Sequence, residues 1–264
     1  MLPRETEIQA SLEAIERDEN VRILFACESG SRAWGFASTD SDFDVRFIYV
    51  RRVDAYLTVD SKRYRDVIEL PISDELDVNG WDLQKALGLL RKSNPPLLEW
   101  LGSPIIYREM GPMAEGMRSL AVEFHSAANG AYHYVHMARG NYREYLRGET
   151  VRLKKYFYVL RPLLGVLWIE AGLGIVPTEF HRLLEKTVDD PAVWGAIDRL
   201  LALKMAGEEL DEGPRVEEIN GFIEFHLNRL ETSKFARNPG LPPVELFDQL
   251  FLRTLSETWT LELV

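Results

Sequence analysis

The chain has 264 residues, of which 46% are hydrophobic, and it carries a formal net charge of −11. This length corresponds to one or two domains, and the negative charge argues against broad, sequence-independent binding to nucleic acid, although a local basic groove is compatible with it. No segment approaches the roughly 18 consecutive apolar residues of a membrane span, and the charged first twenty residues do not resemble a signal peptide. We therefore expect a soluble, cytoplasmic protein without a membrane partner.

The first part of the chain alternates apolar runs with helical patterns. Ile8, Leu12 and Ile15 recur at helical spacing, which predicts a helix over residues 4–18. Short apolar runs predict a sheet of about four strands over 21–27, 45–50, 67–70 and 76–78, with a last strand over 105–107. Further helices are predicted over 83–92 and 97–101. The only cysteine, Cys27, excludes an internal disulfide framework, and its apolar neighbours predict a buried thiol.

Beyond Gly111 and Pro112 the pattern is helical throughout. Helices are predicted over about 112–128, 130–147, 150–172, 178–188, 191–206, 215–232 and 243–260. The predicted fold class is therefore α/β, with a small mixed-sheet domain over 1–107 followed by an all-helical domain over 108–264.

Two aspartates stand at the start of the second predicted strand. Side chains two apart on a strand point the same way, so Asp42 and Asp44 would lie on one face, about 7 Å apart at their Cα atoms. Mg²⁺ binds one or two carboxylates and completes its shell with water and phosphate oxygens. A calcium loop starting at Asp40 is excluded, because Val45 stands where that loop needs glycine and Arg51 where it needs glutamate.

A Gly-Ser pair precedes these aspartates by a loop of about ten residues. Gly30 allows the backbone to approach a ligand closely, and Ser31 offers a hydroxyl and an amide to phosphate oxygens. The order of the parts is an apolar run, Gly-Ser, a loop, Asp-x-Asp and a second apolar run.

This order, seen in GSRAWGFASTDSDFD, resembles the signature of the DNA polymerase β nucleotidyltransferase superfamily. The segments CESGSRAWG, SDFDVRFIYV, NGWDLQKAL, KSNPPLLEWL and KKYFYVLRPLL resemble one bacterial and phage branch that is predicted to act in RNA repair, and the likeness covers most of the chain. The resemblance implies a nucleoside triphosphate substrate, two Mg²⁺ ions with Mn²⁺ as an alternative, and attack of an acceptor hydroxyl on the α phosphorus.

The resemblance also implies a third carboxylate from a neighbouring strand. Asp77 fits best, because apolar residues flank it, and we expect Asp42, Asp44 and Asp77 to be both metal ligands and catalytic residues. Asp82 is the alternative third ligand, but its place before LQKALGLL already explains it as a helix N-cap. Glu69 is a more distant candidate, and Glu28 is interpreted as a loop acid.

A basic segment opens the predicted helix over 150–172. Lys154, Tyr158 and Arg161 are spaced i, i+4 and i+7, which predicts one cationic and aromatic face. A solvated basic face is the alternative, but related enzymes bring Lys or Arg from a helical domain to the triphosphate, in a cleft between the two domains. The nucleotide-binding residues implied by the resemblance are Gly30, Ser31, Arg32, Lys154, Lys155, Tyr158 and Arg161.

Three functions follow as hypotheses. The first is transfer of a nucleoside monophosphate, such as AMP from ATP, to a hydroxyl acceptor at an RNA end. The second is an adenylyltransferase that modifies a protein or a small molecule, which the acidic net charge favours. The third is an inactive module that binds a nucleotide or a partner protein, and the presence of both motif aspartates argues against it.

Overall fold

The computed structural model describes residues 4–60, 63–72, 75–207, 210–235 and 240–259. These residues form twelve helices and seven strands, which we number in chain order. The elements are α1 (Glu5–Glu19), β1 (Val21–Glu28), α2 (Gly30–Trp34), β2 (Phe43–Arg51), α3 (Val53–Tyr56), β3 (Val67–Glu69), β4 (Leu76–Asp82), α4 (Leu83–Arg91), α5 (Pro95–Leu101), β5 (Ile106–Glu109), α6 (Met113–Phe124), α7 (Ala127–Tyr145), β6 (Thr150–Arg152), α8 (Lys155–Glu170), α9 (Phe180–Thr187), α10 (Pro191–Met205), β7 (Glu212–Pro214), α11 (Glu217–Arg229) and α12 (Val244–Thr258).

The α/β class predicted from the sequence is confirmed. A mixed sheet of five strands lies in the first half of the chain, and the second half is mainly helical. The predicted start of a helix at residue 150 is wrong, because Thr150–Arg152 forms β6 and pairs with β7. A β-branched pair, Thr150-Val151, favours this extended backbone.

The large sheet has the strand order β3-β4-β2-β1-β5. Strands β2 and β4 run parallel, whereas the other three neighbouring pairs run antiparallel. One face of the sheet packs its alternate side chains against the apolar stripe of α1, which consists of Ile8, Leu12 and Ile15. The opposite face carries the polar side chains described below.

The chain divides into two compact units. Unit 1 contains the large sheet and comprises Met1–Gly30, Asp42–His125 and Gly240–Val264, whereas unit 2 comprises Ser31–Ser41 and Ser126–Pro239. The domain boundary at residues 107 and 108 remains a prediction from sequence. Both units include chain segments that are distant in sequence.

The last helix, α12, belongs to unit 1 and packs against α4. Arg91 Nε donates a hydrogen bond of 2.7 Å to the Pro242 carbonyl before α12, and Trp259 Nε1 after it donates one of 2.8 Å to the Arg51 carbonyl at the end of β2. The sheet and α4 are therefore tied to residues that lie more than 140 positions later in the sequence.

Unit 2 is organised around the almost wholly buried helix α8. Phe36 from the loop before β2 is buried in this core, 4.8 Å from the Phe157 ring, and Trp34 is partly buried against the same cluster. Both aromatic residues therefore help to close the core of unit 2. In the described ranges, no helix has both the length and the apolar character needed to cross a membrane.

Candidate active site

The polar face of β2 carries the two motif aspartates. Burial alternates along the strand, so that Asp44 and Arg46 are half-buried between the buried Phe43, Val45 and Phe47. Asp42 lies one residue before the strand and is exposed. This alternation follows from the pleat of the strand, and it directs Asp44 and Arg46 to the same face.

Asp77 lies directly beside Asp44. Strands β2 and β4 are parallel neighbours, and the two aspartates are Cα partners in their register. The pattern along β4 leaves Asp77 half-buried on the polar face, whereas Asp82 lies on the opposite, buried face. The structure thus brings Asp44 and Asp77 together.

Asp82 lies five residues further along β4, about 16 Å away at the rise of a strand. Its carboxylate caps α4 by accepting the Gln84 amide at 2.8 Å, and it also accepts the Tyr56 hydroxyl at 2.8 Å. Asp82 is therefore occupied by a structural role, and the geometry favours Asp77 as the third carboxylate.

We expect Asp82→Ala to lower the free energy of unfolding by about 1 to 2 kcal/mol, because α4 loses its N-cap, without loss of any transfer activity. Asp82→Asn retains a good capping side chain and is the matched control. Thermal melting and turnover of the two variants test the assignment. Loss of turnover in a stably folded Asp82→Asn protein would instead return Asp82 to the catalytic group.

Arg46 connects the two paired carboxylates. Its Nη2 donates to Asp44 Oδ1 at 3.1 Å and to Asp77 Oδ2 at 2.8 Å. Its Nη1 donates to the carbonyl oxygens of Val45 and Asp77, both at 3.1 Å. One guanidinium thus offsets part of the charge of two neighbouring carboxylates. Sequence reasoning missed this residue, although its spacing of two from Asp44 on a strand places it on the same face.

Gly30 lies against the Asp44 side chain. Its φ is +58°, and a Cβ added at this position would lie 2.0 Å from Asp44 Oδ2. Any larger residue would therefore both strain the backbone and displace the carboxylate. The glycine of the motif has a structural reason to be there, which is the close approach of the chain to Asp44.

Glu28, at the end of β1, holds the backbone of Asp44 in place. The Glu28 side chain is wholly buried, and its Oε1 accepts the Asp44 amide at 2.7 Å while Oε2 accepts the Tyr107 hydroxyl. The interpretation of Glu28 as a loop acid is wrong, because the strand continues through this residue. The adjacent Cys27 is buried as predicted, and burial strongly raises the pKa of its thiol, so that the reactive thiolate is disfavoured.

Burial raises the pKa of the Asp44 carboxyl above its ordinary value. The Arg46 guanidinium opposes this shift, and the nearby Asp77 and Asp42 carboxylates add to it. The ionised form of Asp44 is therefore less favourable than that of an ordinary aspartate, and a further positive charge nearby would stabilise it.

Two of these three aspartates can hold a divalent ion. In the described part of the chain, no three His, Cys, Asp or Glu side chains are arranged to hold a metal ion together. Two carboxylates suffice for Mg²⁺, which takes its other ligands from water and phosphate. Asp42 and Asp44 are two hard oxygen ligands of this kind, and Arg46 contacts both Asp44 and Asp77. The donor set therefore fits a hard divalent ion through two aspartates, with Asp77 adjacent.

Unit 2 has an open basic cavity of about 670 Å³ at the start of α8. Its lining residues are Arg152, Lys154, Lys155, Tyr158, Leu210, Asp211 and Glu212. The Lys155 ammonium lies between two aromatic rings, 4.5 Å from the centre of the Tyr145 ring and 4.6 Å from that of Tyr158. These cation–π contacts orient Lys155 before any ligand arrives.

Two of the predicted nucleotide-binding side chains have other contacts. Arg161 is only 2% exposed, lies over the Trp34 ring and contacts the Pro177 and Thr178 carbonyls, so it does not share the exposed face of Lys154 and Tyr158. The reason is that α8 is apolar on nearly all sides. Arg32 Nη2 donates to the Ser41 carbonyl at 2.6 Å and closes its own loop.

A mixed sheet in which the glycine of a Gly-Ser pair lies against the second aspartate of Asp-x-Asp is typical of the DNA polymerase β nucleotidyltransferase family. Residues 5–253 match the family described as the RNA repair pathway DNA polymerase beta family. The chain is 45% identical over 249 residues to the uncharacterized protein YcgL of Bacillus subtilis (strain 168), an alignment that covers 94% of this chain and 95% of that protein. The chain belongs to the RNA repair pathway DNA polymerase beta family.

Among solved structures, the chain is similar to a nucleotidyltransferase-like protein from Exiguobacterium sibiricum 255-15. The two share 13% identity and a TM-score of 0.33, with 95% of this chain and 80% of the other chain covered.

Proposed function

We propose that the protein transfers a nucleoside monophosphate from a nucleoside triphosphate to a hydroxyl group at an RNA end. The observation that carries the proposal is the pairing of Asp44 with Asp77 on neighbouring parallel strands, with Asp42 two residues before Asp44. A protein that only binds a nucleotide has no need for three neighbouring carboxylates, since they repel both each other and the phosphates.

Asp42 and Asp44 hold the divalent ion, Mg²⁺ or Mn²⁺, and Asp77 is the third carboxylate of the group. When bound, such ions lower the pKa of an acceptor hydroxyl and offset the charge of the triphosphate. The Asp44 carboxylate accepts a hydrogen bond from Arg46, and the Asp44 amide donates one to Glu28. Gly30 and Ser31 offer backbone groups to the phosphates, and Arg32 follows them in the same helical turn.

The basic cavity of unit 2 is the second part of the proposal. Lys154 and Lys155 bind phosphate oxygens, and the exposed ring of Tyr158 beside them contacts the nucleotide. The support for this role is that three cations, the third being Arg152, outnumber the two acidic residues in the lining of the cavity, in a chain of net charge −11. Arg161 is not part of this group, because it is buried.

Transfer of label from a radioactive substrate tests the reaction. The protein is incubated with each α-³²P nucleoside triphosphate and Mg²⁺ or Mn²⁺, in the presence of total RNA, total protein or small metabolites in turn. Label in RNA supports the proposal, whereas label in protein or metabolites supports the adenylyltransferase that the acidic charge favours. The absence of label from every fraction would leave only the binding module.

We expect Lys154→Ala and Lys155→Ala each to weaken binding of a non-hydrolysable triphosphate analogue by about tenfold to a hundredfold. Each charge-assisted contact to phosphate contributes roughly 1.5 to 3 kcal/mol, while an exposed surface charge contributes at most about 1 kcal/mol. Lys186→Ala, which removes an exposed lysine of α9, is the matched control. Calorimetric titration measures the affinities, and unchanged affinity in both lysine variants would mean that this basic face is only solvated.

A further inference from the structure

Arg46 occupies the space between two carboxylates of the proposed metal site. A single nitrogen atom, Nη2, contacts both Asp44 Oδ1 and Asp77 Oδ2. The Arg46 side chain is 17% exposed, so the two carboxylates hold a largely buried positive charge. A divalent ion that binds these two oxygen atoms needs the space that Nη2 occupies.

The contacts of Arg46 divide into two kinds. Nη2 donates to the two carboxylates, and a metal ion can replace Nη2 as their partner. Nη1 binds the main-chain carbonyls of Val45 and Asp77, and a metal at the carboxylates leaves those contacts available. The guanidinium can therefore release Asp44 and Asp77 while it stays anchored to the two strands.

We propose that Arg46 is a built-in counter-cation that competes with the divalent ion for Asp44 and Asp77. The inference rests on the proposed function, because it concerns the metal site of that reaction. In the absence of metal, Arg46 keeps the neighbouring carboxylates from repelling one another. Asp44 Oδ1 and Asp77 Oδ2 become available as ligands only when Nη2 leaves them, so an ion that binds through both carboxylates displaces Nη2.

Competition between Arg46 and the metal ion predicts whether the loss of Arg46 strengthens or weakens metal binding. Removal of the guanidinium leaves the carboxylates without their counter-charge. Arg46→Gln is therefore expected to bind Mn²⁺ about tenfold more tightly than the unaltered protein. An effect of this size is what close charges produce at the effective dielectric constant of a protein. A residue that only positioned the ligands would give the opposite result, because its loss would let the carboxylates move apart. Arg46→Lys keeps the charge and is expected to bind Mn²⁺ about as the unaltered protein does.

The test is a titration of the protein with Mn²⁺ alone, without nucleotide, in which electron paramagnetic resonance measures the free ion. Arg22→Gln is the control for net charge, because Arg22 is an exposed residue of β1 near the other end of the sheet. Asp44→Asn identifies the binding site. If Arg46→Gln does not fold, Arg46→Met fills a similar volume without a polar group and replaces it.

Tighter binding in Arg46→Gln and unchanged binding in Arg22→Gln support the inference. If the unaltered protein binds Mn²⁺ and Asp44→Asn does not, the metal site is present. Equal or weaker Mn²⁺ binding by Arg46→Gln then overturns the inference about Arg46 and leaves the proposed function in place. If the unaltered protein and Asp44→Asn both fail to bind Mn²⁺, the metal site of the proposed function is overturned together with it.

Discussion

Asp44→Asn and Asp42→Ala are each expected to reduce nucleotidyl transfer to the uncatalysed background while the protein remains folded. Both residues are the proposed ligands of the divalent ion, and a metal bound through two carboxylates loses half of its protein ligands with either change. Transfer of label from an α-³²P nucleoside triphosphate measures the loss. Asp40→Asn, which removes an exposed carboxylate from the same loop, is the matched control and is expected to keep its activity.

Stability should change in the opposite direction to activity for Asp44→Asn. Burial raises the folded-state pKa of Asp44. The free energy that the Asp44 side chain contributes to folding is therefore fully present below the unfolded-state pKa, and it is lost as pH rises through the folded-state pKa. At pH 7, the neutral asparagine avoids this loss and can still accept a hydrogen bond from Arg46. We therefore expect the variant to melt at or above the temperature of the unaltered protein, with an advantage that shrinks as pH falls toward about 4.

Thermal melting of the metal-free proteins between pH 4 and pH 8 measures this effect. A clear drop in melting temperature at pH 7 would show that Asp44 stabilises the fold, and near-normal turnover of Asp44→Asn would remove it from the metal site.

Gly30→Ala is expected to lower turnover by about a hundredfold, because a Cβ there lies 2.0 Å from Asp44 Oδ2 and must displace it. A displacement of about 1 Å in a catalytic group can cost a factor of this size. The positive φ adds a backbone cost of about 1 to 2 kcal/mol in stability. Transfer assays and thermal melting together separate the two effects.

Gly111→Ala provides the control for backbone strain. Its φ of +65° is close to that of Gly30, but no atom lies within 4 Å of an added Cβ. The two variants should therefore lose stability by comparable amounts from the backbone, and only Gly30→Ala should lose turnover. Equal turnover in both would mean that the contact of Gly30 with Asp44 has no part in the reaction.

The parts of the fold with a strong local pattern could be predicted from the sequence. The apolar stripe of α1 and the runs of β1 and β2 have the periods of helix and strand, and they lie within one or two residues of their predicted bounds. The choice of Asp77 over Asp82 followed from the apolar neighbours of Asp77 and from the capping position of Asp82. The cap is confirmed by the hydrogen bond from the Gln84 amide.

Other features depend on tertiary contacts that no local pattern reports. Arg46 appears in the sequence as one polar residue in an apolar strand, and its role emerges only when β4 brings Asp77 beside it. Helical spacing predicts that Arg161 shares one face with Lys154 and Tyr158. Because α8 is buried on nearly all sides, spacing cannot show which of its faces meets solvent. The buried Glu28 carboxylate likewise has a partner that is distant in the sequence, the Tyr107 hydroxyl 79 residues away.

The return of α12 to unit 1 has a consequence for biosynthesis. Unit 2 is inserted between chain segments of unit 1, whose last segment begins only at Gly240. Until that segment leaves the ribosome, the apolar side of α4 that meets α12 lacks its native cover, although all five strands of the sheet have already been made. Unit 1 of the nascent chain therefore remains incomplete while more than a hundred residues are synthesised, at about 5 to 20 residues per second.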